Sequence, residues 1–172
     1  MKKDQSIRVV RRDELQPGDV ITYPFLFPWQ KEEGVAEAEK LRPAVVMLRF
    51  GSAEETYLAI LPLTTRPIKN WEQRVLIPQD CRRAAGLNPG RCQSIVIDSC
   101  NVERLMPADD KDAKTYLPCE VKVGRLDDEV MDQVCRRFRN LQSRNKASVI
   151  QRKATMPVAQ PETDTVTPIP GY

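Results

Sequence analysis

No histidine occurs in the 172 residues, so acid–base chemistry near neutral pH falls to carboxylates, Lys, Arg, Tyr, Cys or water. A Ser-His-Asp hydrolase and a two-histidine ribonuclease are thereby excluded. The five cysteines, Cys81, Cys92, Cys100, Cys119 and Cys135, are odd in number, stand 11, 8, 19 and 16 residues apart, and form no CxxC pair. Without histidine a mixed Cys/His zinc site is impossible, and a four-Cys site lacks paired spacing. Reduced, mostly buried thiols are expected, with no metal or other cofactor. Guanidinium and indole groups remain for binding. Arg82, Arg83 and Arg91 could line a path for phosphates, the plainer reading being a solvated face. Trp29 and Trp71 lie in polar surroundings where an indole either stacks an unpaired base or anchors a loop.

The charge balance is mild, 27 Lys and Arg against 24 Asp and Glu, and by itself says little about nucleic acid. Its distribution is more telling. Residues 120–153 carry nine Lys or Arg and five acids, while 154–172 carry two acids and no base. No apolar run follows the opening Met1-Lys2-Lys3, so no signal peptide is evident. No stretch approaches the ~20 apolar residues of a membrane helix, and a cytoplasmic protein that does not engage a membrane is expected.

The elements that must position these groups are mostly strands. Pro17-Gly18-Asp19 is a turn signal. Val20 to Phe27 is β-branched and aromatic, with Pro24 at an edge or bulge. The mixed-charge stretch from Pro28 to Leu41 suggests an exposed loop. Ala44 to Leu48 is an apolar run fit for burial on both faces. Gly51 to Glu55 then turns the chain into an antiparallel partner, Thr56 to Leu61, ending at Pro62. Arg74 to Ile77 and Ser94 to Ile97 are shorter strands, with a helical turn from Asp80 to Leu87 between them, and Thr115 to Val123 could hold another. The clearest helix runs from Asp128 to Arg144: Val130, Met131, Val134, Cys135, Phe138 and Leu141 share one face, and Asp127 stands as its N-cap. The sum is a mostly β (α+β) fold, a small, partly open barrel with helical additions. Its domain would span 17–150, between an arm at 1–16 and a disordered Pro/Thr-rich tail at 151–172.

Four segments in order resemble the MazF/PemK group of bacterial toxins. Gly18-Asp19 opens the first strand, and Arg42-Pro43-Ala44-Val45-Val46 opens the second. Pro62-Leu63-Thr64-Thr65 ends the third, and Ile97-Asp98-Ser99-Cys100-Asn101 is a strand followed by a polar turn. The resemblance covers about residues 17–145 and is nearest to the longer proteobacterial PemK-like members. It departs from the short members, which carry Asp-Gln where this chain has Asp98-Ser99 and lack the tail after Arg152.

The resemblance implies an SH3-like barrel of the CcdB/MazF type with a C-terminal amphipathic helix. It also implies a metal-independent endoribonuclease that cuts single-stranded RNA by attack of the ribose 2′-OH. Arg42 would neutralise charge on the phosphate, Thr64 would hydrogen-bond a phosphate oxygen, and Glu37, five residues before Arg42, would be the base. Glu32, Glu33 and Glu39 compete for that last role. Asn101 and Thr65 would touch the substrate, with Trp29 and Arg82 as further contacts. The implied partners are a cognate antitoxin and a second copy of the chain, with DNA reached only through the antitoxin complex. The competing reading is a non-catalytic binding protein of the same fold, either a gyrase-directed toxin or a nucleic-acid-binding regulator.

Overall fold

The computed structural model describes residues 15–35, 38, 40–105 and 122–152. Eight strands form one mostly antiparallel sheet: β1 Asp19–Tyr23, β2 Arg42–Gly51, β3 Thr56–Thr64, β4 Arg74–Leu76, β5 Ser94–Val96, β6 Ser99–Leu105, β7 Lys122–Arg125 and β8 Ser148–Gln151. Three helices accompany them: α1 Pro28–Glu32, α2 Gln79–Ala84 and α3 Asp128–Ser143. The strand order is β4-β5-β3-β2-β1-β7, with β6 also on β3 and β8 parallel to β6. The β-rich α+β class is as expected. The barrel is not: among the described residues β4 and β7 stand at opposite ends of the order, and the sheet stays open.

The long hairpin β2–β3 is the spine. It turns at Gly51, whose φ is +111° and where an added Cβ would lie 2.0 Å from the Glu55 carbonyl oxygen. Pairing runs from Gly51–Thr56 to Ala44–Pro62, with an irregularity between Val46 and Leu48. Pro62 does not end β3, contrary to expectation. It pairs with Ala44 in the last rung to β2. On the other edge of β3 it falls between the rungs to β6, which end at Ile60–Asn101, and those to β5, Leu63–Ile95 and Thr64–Ser94, a place where a missing N–H is tolerated.

Strand alternation sorts the core into two layers. Val20, Val45, Met47, Leu61 and Leu63 face α3, whose Val130, Met131, Val134, Phe138 and Leu141 complete the larger cluster. Asp127 caps α3 as expected, its side chain accepting the Val130 N–H at 2.9 Å. Ile21, Tyr23, Ala44, Val46, Leu58 and Ile60 turn to the opposite face, where Leu15 and Phe25 join them.

Other differences from expectation follow from local chemistry. β1 stops at Tyr23, before Pro24, and Pro28 at the first helical position starts a five-residue helix where a loop is expected. Ser99 to Leu105, expected to begin as a polar turn, is a strand paired to both β3 and β8. β8 has no obvious sequence signature, and it carries the packed chain past residue 150 to Arg152, which is buried. Residues 115–121 of the expected late strand lie outside the described residues, as do most of the arm and the tail beyond Arg152. Among the described residues no helix is long and apolar enough to cross a membrane.

Candidate functional site

Arg42 opens β2 and stands opposite Tyr23 of β1. The β2–β3 ladder ends with Ala44 opposite Pro62. Two residues beyond that rung, β2 begins at Arg42 and β3 ends at Thr64. Both have the parity of Ala44, Val46, Leu58 and Ile60, so both project from the face opposite α3. Thr64 is in turn opposite Ser94, and Ser94 opposite Leu76. Two rows of partners result, Tyr23 with Arg42, and Thr64 with Ser94 and Leu76. Their exposure differs. Tyr23 and Ser94 are buried, Arg42 and Thr64 half-buried, and Leu76 exposed.

The Arg42 guanidinium lies over the Phe27 ring, 5.2 Å from its centroid, a cation–π contact that fixes one face of the fork. Among the described residues no acid pairs with it. Phe27 itself stacks with Trp29, centroids 6.3 Å apart and planes 16° from parallel, and meets Phe25 edge-on at 4.9 Å. Trp29 is 54% exposed and Leu41, next to Arg42, 47%. An aromatic ledge open to solvent thus adjoins the guanidinium.

Thr64 Oγ1 accepts the Arg66 N–H at 3.1 Å. A hydroxyl accepting one bond retains its own proton to donate, so Thr64 can offer an O–H on the sheet face that carries Arg42. Thr65 follows it, exposed. Ser94 was not singled out by sequence: it is buried, and its Oγ has no hydrogen-bond partner among the described residues. An unsatisfied buried hydroxyl costs about 1–3 kcal/mol.

Other expected site residues are elsewhere. Asn101 is fully buried in β6, and its amide is taken by the Leu26 backbone, at 2.9 Å to the N–H and 2.8 Å to the carbonyl. Arg82 is half-buried on α2 and donates to the Arg91 carbonyl at 2.6 Å, which ties its own loop, while Arg83 and Arg91 are exposed. Trp71 is exposed in a 3-10 turn, Trp71–Gln73, held to α3 by a bond from Arg137 to the Trp71 carbonyl. Glu37 and Glu39 lie outside the described residues, whereas Glu32 and Glu33 are exposed at the end of α1.

Of the cysteines, Cys100 is buried and its thiol is pushed up to about 12 by desolvation. Cys81 donates to Asp127 Oδ2 at 2.8 Å, and that bond, with burial and the adjacent negative charge, raises it to about 11. Both groups are protonated at neutral pH and are poor nucleophiles.

A second polar group sits beneath the ledge. The Tyr23 hydroxyl donates to Glu103 Oε1 at 2.5 Å, and the Arg152 Nε is 3.9 Å from the same oxygen. Burial and the Glu103 carboxylate hold the Tyr23 hydroxyl well above its ordinary range. Sequence reading missed this group. The every-second-residue spacing of Tyr23, Phe25, Phe27 and Trp29 was visible, but nothing local links it to Glu103 or Arg152.

No family model, no curated protein and no solved structure matches the chain.

Proposed function

We propose that the chain is a metal-independent endoribonuclease acting on single-stranded RNA, of the kind that serves as the toxin of a toxin–antitoxin pair. The observation that carries the reading is that Arg42 and Thr64, each two residues beyond the Ala44–Pro62 rung, share the parity of one sheet face. Two groups 22 residues apart in sequence thereby offer a cation and a hydroxyl donor to the same face.

The chemistry asked of them is limited. The ribose 2′-oxygen bonds to phosphorus as the bond from phosphorus to the 5′-oxygen breaks, giving a 2′,3′-cyclic phosphate and a free 5′-OH. Arg42 neutralises charge gathering on the non-bridging oxygens through two parallel N–H donors. Thr64 donates its hydroxyl proton to one of those oxygens. The 2′-proton passes to a base, the part that the family resemblance gives to Glu37. The departing 5′-oxygen takes its proton from solvent water, and the requirement for a 2′-OH selects RNA over DNA. Trp29, exposed on the ledge, offers a stacking face to an unpaired base, and Thr65 extends the hydroxyl edge. The same reading brings a half-open form of the SH3-like CcdB/MazF barrel, a homodimer, and an antitoxin covering the groove.

The test is incubation of the purified protein with long unstructured RNA in EDTA, with the new termini identified. Cleavage leaving a cyclic phosphate and a 5′-OH is expected. Arg42→Ala should slow it about 100- to 1,000-fold, the scale of removing a transition-state charge stabiliser, with an unchanged far-UV spectrum. Intact RNA with the wild-type protein, or undiminished cleavage by Arg42→Ala, rejects the assignment and favours a binding protein of the same fold.

A further inference from the structure

Past Tyr23 the chain leaves the β1 ladder, and Pro24, Phe25 and Leu26 run on without regular strand partners. Buried side chains from β6 and the end of β8 replace them. Asn101 serves both backbone groups of Leu26, Oδ1 accepting its N–H and Nδ2 donating to its carbonyl, as a neighbouring strand would. Arg152 donates through Nη1 to the Pro24 carbonyl at 2.9 Å and to Asn101 Oδ1 at 3.3 Å. Its guanidinium lies 5.9 Å from the Tyr23 ring centroid, and Tyr23 in turn is bonded to Glu103. Asn101, Glu103 and Arg152 are 0%, 4% and 7% exposed, so the grip is sheltered from water.

The residue after gripped Leu26 is Phe27, whose ring lies against Arg42. One peptide unit therefore separates a backbone fixed by two hydrogen bonds from the ring that meets the guanidinium. A seal over the end of β1 would need only apolar cover. A donor and an acceptor on a single residue set that residue's orientation, and Phe27, whose own N–H donates to Gln30 Oε1 at 2.9 Å, continues directly from it.

We propose that Asn101, braced by Arg152, is a positioning residue: it holds Phe27 so that the ring face aims the Arg42 guanidinium at the phosphate. This stands in place of the direct substrate contact expected for Asn101, and it rests on the nuclease reading of Arg42. Displacing a positioned group by about 1 Å costs on the order of 100-fold in rate.

The experiment uses the full chain carrying Trp71→Phe, so that Trp29, stacked on Phe27, is the sole tryptophan. Asn101→Ala and Phe27→Leu should each lower kcat on unstructured RNA by about 10- to 100-fold with KM within about threefold. Phe27→Tyr, which keeps the ring, should retain the rate. Asn101→Ala combined with Phe27→Leu should be no slower than the slower single variant, because both break one path. The Trp29 emission should shift in Asn101→Ala. Leu141→Ala, which loosens the opposite face, should lower stability and leave kcat alone, separating positioning from general loosening. If Asn101→Ala does not fold, the contrast between Phe27→Leu and Phe27→Tyr decides the matter. Wild-type protein that cleaves no RNA overturns the nuclease reading and this one with it. Wild-type protein that cleaves while Phe27→Leu keeps its full kcat, or a double variant whose losses multiply, overturns this one alone.

Discussion

Val45 and Leu61 turn toward α3, while their immediate neighbours Ala44 and Ile60 turn the other way. The α3 side is filled by aliphatic residues, Phe138 and methionines. Its adhesion is non-directional and needs only volume and apolar character. The other side combines an apolar layer with Tyr23, Asn101, Glu103 and Arg152, each tied by an oriented hydrogen bond or ion pair. Such groups are costly to bury unless matched. Arg42 and Thr64 emerge at the margin of this second face. The contrast teaches a division of labour: one face supplies cohesion, and the other fixes directions where a site needs them.

The largest effects should come from breaking each face at its centre. Arg152→Ala takes the guanidinium away from a buried carboxylate and should cost about 3–5 kcal/mol in urea unfolding. Phe138→Ala leaves a cavity under α3 and should cost a similar 3–5 kcal/mol. The two losses differ in how they are repaired. Adding Glu103→Leu to Arg152→Met should recover most of the loss, because an apolar pair needs no partner. A double variant as unstable as Arg152→Ala would show that the polar face is held by shape rather than charge. A smaller change, Tyr23→Phe, removes one donor to Glu103 and should cost about 1–3 kcal/mol without altering the fold.

The smallest effects belong to the edge between α2 and α3. Asp127→Ala removes the α3 cap and should cost about 1 kcal/mol. The Cys81 thiol and the Val130 N–H hold the Asp127 carboxyl below its ordinary range. Its contribution is therefore present above the unfolded-state value and fades as pH falls through the lowered folded one. Cys81 is shifted the other way, to about 11. Its contribution is in full force below the ordinary thiol range and is lost as pH rises through that folded value. At pH 8 peptide mapping should accordingly find exposed Cys92 alkylated well before Cys81.

The cohesive face was legible in sequence. Helical spacing from Val130 to Leu141 marked its helix, Asp127 its start, and the apolar run after Pro43 its central strand. Periodicity reports burial, and burial is what this face consists of. The directional face was legible only in pieces. Arg42 and Thr64 are marked only by a resemblance, and the β2–β3 register that puts them on one sheet face is a property of pairing that no single segment encodes. The surroundings of Asn101 are not legible locally. A polar residue after a short strand suggests a turn, and the parallel β8 that encloses it lies 47 residues further on. Nothing near Arg152 marks it as an inward-facing group, because its carboxylate partner is 49 residues away.

The parallel pairing of β8 with β6 also bears on the order in which the molecule assembles. The β2–β3 hairpin closes over a few residues and can zip early. β8 reaches β6 only by a long crossover that includes α3, and contacts so distant along the chain are slow to form. The cohesive half should thus consolidate first, and the guanidinium that completes the second half should arrive late. Pulse-labelled amide exchange should show protection at Val134 ahead of Ile150. Aiming the arginine would then be among the last acts of folding.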